Sequence, residues 1–154
     1  MATWQLDVYV VPREAVEGQL PNSVDAFLNG DWWANRDLAP EALDALTEGL
    51  PRLPSWSRSV RAWGVEDGNR LDHVVDGGHL EEFRVRLDAR SPDDDFIRRI
   101  IDFAVSSDCR IVTEDLRVLP PLESELKAAL LDSRAARFVR DSQQYLDDLG
   151  QDPE

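Results

Sequence analysis

Residues Trp56–Arg90, WSRSVRAWGVEDGNRLDHVVDGGHLEEFRVRLDAR, decide the fold. Trp56 to Val65 has the composition of a strand. Asp67-Gly68 then supplies a tight turn, because a type I′ hairpin needs positive φ and glycine adopts it without penalty. Arg70 to Val75 is the return strand. Asp76-Gly77-Gly78 turns the chain again, and His79 to Arg90 is a long third strand. Three strands in succession predict an antiparallel meander.

Outward from the meander, the pattern continues in both directions. Trp4 to Val11 alternates Trp4, Leu6, Val8 and Val10 with Gln5, Asp7, Tyr9 and Val11, the period of a half-buried strand. Pro12 ends it, since proline cannot donate to a ladder. A short helix is expected after Asn22, stopping at Gly30. Residues 31–37 read as a loop, and a second helix runs from Pro40 to Glu48 with Gly49 as its stop. Beyond the meander, Ser91 caps a helix with Pro92 in its first position, and Asp93, Asp94 and Asp95 complement the helix dipole. Cys109 to Thr113 is a last strand. A helix follows from Pro120-Pro121, with a break or a continuation near Ser133. A short turn carries Tyr145, Leu146 and Leu149, and residues 150–154 form an acidic tail expected to fray.

This order predicts one α+β domain over residues 1–149. An antiparallel sheet of about five strands carries helices mainly on one face, in a ferredoxin-like variant. Parity puts Leu6, Val8, Val10, Val60, Ala62, Leu71, His73, Val75, Phe83, Val85 and Leu87 on the helix side. It leaves Asp7, Tyr9, Arg61, Trp63, Arg84 and Arg86 on the other. Arg61, Trp63, Arg84 and Arg86 form a candidate ligand face, because guanidinium groups stack on rings and fork onto carboxylates. Cross-strand ion pairing with Glu82 and Asp88, or cover from the excursion holding Trp32 and Trp33, are the structural alternatives.

Charge bounds the function. The 154 residues carry 31 acids against 17 basic residues, a net charge of −14. Nine acids and three arginines fall in residues 1–55, and the last fourteen residues hold five acids and no base. Such a chain repels a phosphate backbone, so no nucleic acid partner is expected. The absence of a long apolar run argues against a membrane span, and nothing at the N-terminus resembles a secretory signal. One cysteine cannot make an internal disulfide, which fits a cytoplasmic setting. The single lysine among the basic residues points to a GC-rich bacterial source.

Catalytic signatures are missing: there is no P-loop, G-x-G-x-x-G, G-x-S-x-G, H-E-x-x-H or C-x-x-C. No cofactor or metal is expected. His73 reads as a core histidine, and His79 with Asp76 as at most two loose ligands. Asp93, Asp94 and Asp95 point about 100° apart on a helix and cannot converge on one ion. Glu114-Asp115 reads as a solvated turn and Cys109 as a buried structural thiol. Trp32 and Trp33 are candidate contacts for a protein partner, with at least one ring expected in the core. Glu41, Asp44 and Glu48 on the second helix are candidate contacts for a basic partner.

As a type, a small acidic α+β chain without catalytic motifs resembles the bacterial immunity proteins and antitoxins that neutralise basic toxic enzymes. That likeness is compositional and transfers no residue. It implies a non-catalytic cytoplasmic binding protein with a basic protein partner. The alternatives are a small-molecule-binding or enzymatic domain using the arginine face, or a homo-oligomeric subunit such as a dimer.

Overall fold

The computed structural model describes residues 2–18, 20–55 and 57–151, and for Tyr145 and residues 148–151 it describes the backbone. Seven strands form one antiparallel sheet: β1 (Gln5–Pro12), β2 (Arg52–Leu53), β3 (Val60–Gly64), β4 (Arg70–Asp76), β5 (His79–Asp88), β6 (Cys109–Thr113) and β7 (Val118–Leu119). Five helices join them: α1 (Val24–Leu28), α2 (Pro40–Thr47), α3 (Asp94–Ser106), α4 (Glu123–Leu131) and α5 (Arg134–Gln151). The spatial order is β2-β3-β4-β5-β1-β6-β7. The first strand in sequence is therefore central, and α3 carries the chain from β5 on one side of it to β6 on the other.

The α+β class and the meander are as the sequence predicts. The strand count is seven rather than five because β2 and β7 are two residues each, too short to leave a periodic signal. Trp56, the expected start of the first meander strand, lies outside the described residues. The central position of β1 also changes its burial. All eight of its residues are buried, not every second one.

Strand β3 presents the opposite faces from those expected. Ala62 opposite His73 would require a two-residue turn. Instead Gly64 pairs with Arg70, Trp63 with Leu71 and Arg61 with His73, leaving five residues, 65–69, in the loop. The Gly68 N–H donates to the Val65 carbonyl at 3.0 Å and the Val65 N–H to the Asn69 carbonyl at 2.9 Å. That odd loop length slips the register by one residue, and a one-residue slip sends every side chain of the strand to the opposite face. Trp63 and Arg61 thus lie on the helix side with Leu71 and His73, while Ala62 and Val60 lie opposite. Gly64 makes this loop possible. Its φ is +109°, and a Cβ there would sit 2.3 Å from the Asn69 carbonyl oxygen. The second turn is as expected: Asp76 pairs with His79, and Gly77 and Gly78 both have positive φ.

The main core lies between the sheet and α2, α3, α4 and the start of α5. Leu6, Val8, Val10, Leu71, Phe83, Val85, Leu87 and Ile111 face Leu43, Leu46, Phe96, Ile97, Ile100, Phe103, Leu126 and Ala135. Phe83 is 1% exposed and stacks on Phe103 at 5.3 Å between centroids. A smaller cluster lies on the other face, where Tyr9, Val11 and Val112 are covered by Val16 of a 3₁₀ turn and Phe27 of α1. The excursion after β1 therefore covers part of the outer face.

Helix boundaries lie one or two residues from the expected caps. Ser23 rather than Asn22 caps α1, accepting from the Ala26 N–H at 3.2 Å. Asp93 rather than Ser91 caps α3, accepting from the Phe96 N–H at 3.1 Å, where a carboxylate makes the stronger, charge-assisted bond. Ser133 Oγ accepts from the Ala136 N–H at 3.1 Å, which separates α4 from α5. From there α5 runs unbroken to Gln151, so the stretch expected as a separate short turn is part of this helix. The tail residues 152–154 lie outside the described residues.

Candidate functional site

The outer face of β1, β4 and β5 carries a lattice of charges. Asp72 is fully buried and accepts from Arg70 Nε at 2.9 Å and from Arg84 Nη2 at 3.2 Å. Arg84 also reaches Glu82 at 3.4 Å, and Arg86 Nε lies 3.3 Å from Asp7 Oδ1. Glu114, just past β6, accepts from the Asp7 N–H at 3.4 Å and pairs with Arg134 at 3.3 Å. Arg70 and Arg86 stand directly opposite on neighbouring strands, a repulsive arrangement that the carboxylates between them relieve. Burial raises the pKa of Asp7, against the pull of Arg86 and Arg84. Burial likewise raises Glu82, against the pull of Arg84. Burial opposes the charge on Arg84, but Glu82, Asp72 and Asp7 outweigh it and hold its pKa above the ordinary value.

The four residues of the candidate ligand face are therefore divided. Arg84 and Arg86 are on the outer face with their guanidinium groups turned onto carboxylates of the same sheet. Trp63 is 8% exposed in the main core, with Arg52 and Arg61 over its ring at 5.0 and 5.7 Å. Arg61 Nη2 lies 3.3 Å from His73 Nδ1. Burial first, and the Arg61 charge second, push the His73 pKa down to about 4. A neutral imidazole accepting from Arg61 at Nδ1 fits both facts.

The two adjacent tryptophans also separate. Trp33 is 1% exposed, and its indole N–H donates to the Val10 carbonyl at 3.1 Å, so this ring is core. Trp32 is half-buried, stacks on Phe27 at 4.8 Å, and donates to the Phe27 carbonyl at 2.6 Å. Gly30 fits beneath that ring, where a Cβ would approach it to 2.8 Å. His79 ties this segment to the β4–β5 turn through Asp31 at 3.3 Å.

Glu41, Asp44 and Glu48 are all exposed along α2 and its end, and among the described residues none of their carboxylates makes an ion pair. Arg99 beside them is committed elsewhere: it donates to the Leu46 and Glu48 carbonyls at 2.9 and 2.6 Å and closes the C-terminus of α2. Most arginines are spent likewise. Arg13, Arg36, Arg90, Arg98 and Arg117 each pair with a carboxylate of this chain.

Between α2 and α3 runs an open groove of about 480 Å³. Ala42, Ala45, Leu46 and Phe103 line it, and Asp95, Arg98, Arg99, Asp102 and Ser106 form its α3 wall. This groove was not anticipated from the sequence. Its only signal was a pair of alanines three residues apart on α2, and what they face depends on α3 lying alongside.

The remaining candidates have structural partners. Asp93 is a cap, Asp94 pairs with Lys127 at 3.3 Å, and Asp95 pairs with Arg98 at 3.5 Å. Asp115 accepts from Thr113 and pairs with Arg117. Burial pushes the Cys109 thiol up to about 11, which keeps it protonated and unreactive. Among the described residues no group of three or more His, Cys, Asp or Glu is arranged to hold a metal ion, and no helix is long and apolar enough to cross a membrane. No family model, curated protein or solved structure matches the chain.

Proposed function

We propose that this chain is a non-catalytic cytoplasmic binding protein that engages a basic protein partner, in the manner of an immunity protein or antitoxin. One observation carries the proposal. Internal pairing takes up most of the described arginines, while Glu41, Asp44 and Glu48 stay exposed without an ion pair. A surface with spare carboxylates draws a cationic partner from a distance and speeds its approach. The frame behind it fits a ferredoxin-like variant, with β4-β5-β1-β6 at its centre and short strands added at both edges. A small-molecule role for the arginine face has less support, because the Arg84 and Arg86 guanidinium groups are already engaged by carboxylates.

The test is kinetic. A partner isolated by affinity capture from the source cells is expected to be basic, with an association rate that falls steeply as salt rises. Screening acts over about 8 Å at physiological ionic strength, the range over which approach is steered. Replacing Glu41, Asp44 and Glu48 together by their amides is expected to lower the on-rate more than it raises the off-rate. A partner whose on-rate is flat between low and high salt would overturn the proposal.

A further inference from the structure

We propose that Arg52 and Arg61, stacked on Trp63 at the β2 edge of the sheet, bind an extended acidic peptide whose carboxylates stand two residues apart. The site is separate from the acidic surface of α2 and does not depend on that reading. Arg52 stands directly opposite Trp63 on the neighbouring strand, and Arg61 precedes Trp63 by two residues on the same face. Their guanidinium carbons lie 5.0 and 5.7 Å from the indole centroid. On the opposite face Arg84 and Arg86 are held by carboxylates. Arg52 and Arg61 make no ion pair among the described residues. Strands β2, β3 and β4 present Arg52, Arg61, Trp63, Leu71, His73 and Val75 on this side, with no carboxylate among them.

Stacking fixes the plane of a guanidinium and leaves its in-plane N–H groups, the ones that fork onto a carboxylate. Arg61 spends only Nη2, on His73 Nδ1 at 3.3 Å. A neutral imidazole accepting there carries its proton on Nε2, a donor with no hydrogen-bond partner among the described residues. These uncompensated donors call for an anion, and their spacing selects its form. Diagonal neighbours on paired strands stand roughly 7–8 Å apart. In an extended peptide, residues i and i+2 point the same way about 7 Å apart, whereas i and i+1 point to opposite sides. Acids at i and i+2 therefore offer one carboxylate to each guanidinium. Among the described residues β2 pairs only with β3, so a chain approaching from outside displaces no strand. Screening over about 8 Å at physiological ionic strength limits repulsion from the rest of this acidic chain.

Two acetylated pentapeptides of equal composition test this with the full chain, one Thr-Glu-Thr-Glu-Thr and the other Thr-Glu-Glu-Thr-Thr. By calorimetric titration the alternating peptide is expected to bind about tenfold more tightly or better. It should also shift the indole N–H resonance of Trp63. Arg52→Gln, at an exposed position, is expected to abolish the preference and leave the melting temperature unchanged. Arg61→Gln should do the same to binding, and Arg61→Lys, which keeps the charge but not the fork, should restore only part of it. If the Arg61 variants fail to fold, Arg52→Gln decides alone. The Glu41, Asp44 and Glu48 amide variant is expected to keep the preference, which separates this site from the α2 surface. Equal affinity for the two peptides, affinity no better than for inorganic phosphate, or a preference retained in Arg52→Gln would overturn the proposal.

Discussion

At the scale of single residues, two buried polar groups set how the molecule answers to pH and mutation. His73 stays neutral in the folded chain, with its pKa near 4, and titrates near 6.5 once unfolded. A depressed pKa contributes stability above the unfolded value and loses it as pH falls through the folded one. Stability is therefore expected to drop by about 3 kcal/mol between pH 6.5 and 4 on account of this group. Asp7 and Glu82 work in the opposite sense, because burial raises both. Their contribution is complete below the ordinary carboxylate range and is lost as pH rises through their raised values. Urea unfolding of His73→Gln at several pH values is expected to flatten the acid slope; an unchanged slope would mean His73 is not its source. Asp72 is the second group. Asp72→Ala strips a buried carboxylate from between Arg70 and Arg84 and is expected to cost about 3 kcal/mol, since one member of a buried pair is then left uncompensated. A loss below about 1 kcal/mol, the ordinary range for surface changes, would mean that water already serves those arginines.

At the scale of elements, the loop between β3 and β4 governs which face Arg61 and Trp63 occupy. Gly64→Ala puts a Cβ against the Asn69 carbonyl at a positive φ and is expected to cost about 1–3 kcal/mol in thermal or urea unfolding. Unchanged stability would show that the loop can reseat. Phe83→Ala tests the same sheet from within. Removing a ring that is 1% exposed and stacked on Phe103 is expected to cost about 3–5 kcal/mol. The meander, α3 and β6 were legible because alternation, glycine turns and an amphipathic stripe act over neighbouring residues. The β3 register was not, because Asp67-Gly68 suits a two-residue hairpin and the five-residue alternative depends on Asn69. That side chain accepts from the Asp88 N–H at 2.9 Å and donates to the Ser91 carbonyl at 3.3 Å, contacts with residues 19 and 22 positions away. The caps lie one or two residues from the expected positions where several capping side chains compete. Of the candidate site, the exposed carboxylates of α2 could be read from sequence. The division of Trp32 from Trp33, and the groove beside α3, could not, since each is set by what packs against it.

At the scale of the whole molecule, charge and topology have separate consequences. At −14 net, with the described arginines mostly paired internally, the chain is expected to give no saturable mobility shift with duplex DNA at physiological salt. A salt-sensitive shift with purified protein would contradict that. Topology bears on how the molecule is made. Strand β1 sits between β5 and β6, so residues 5–12 find their two neighbours only at residues 79–88 and 109–113. During synthesis the earliest apolar strand leaves the ribosome some 70 residues before its first partner, a delay of several seconds at about 5–20 residues per second. Closing such long loops precedes any gain from pairing, which slows the search. The centre of the sheet thus closes only after most of the chain has been made. Until Thr113 has emerged, Leu6, Val8 and Val10 have no complete core to enter, and a nascent chain arrested before β6 carries an open sheet edge for chaperones to shield.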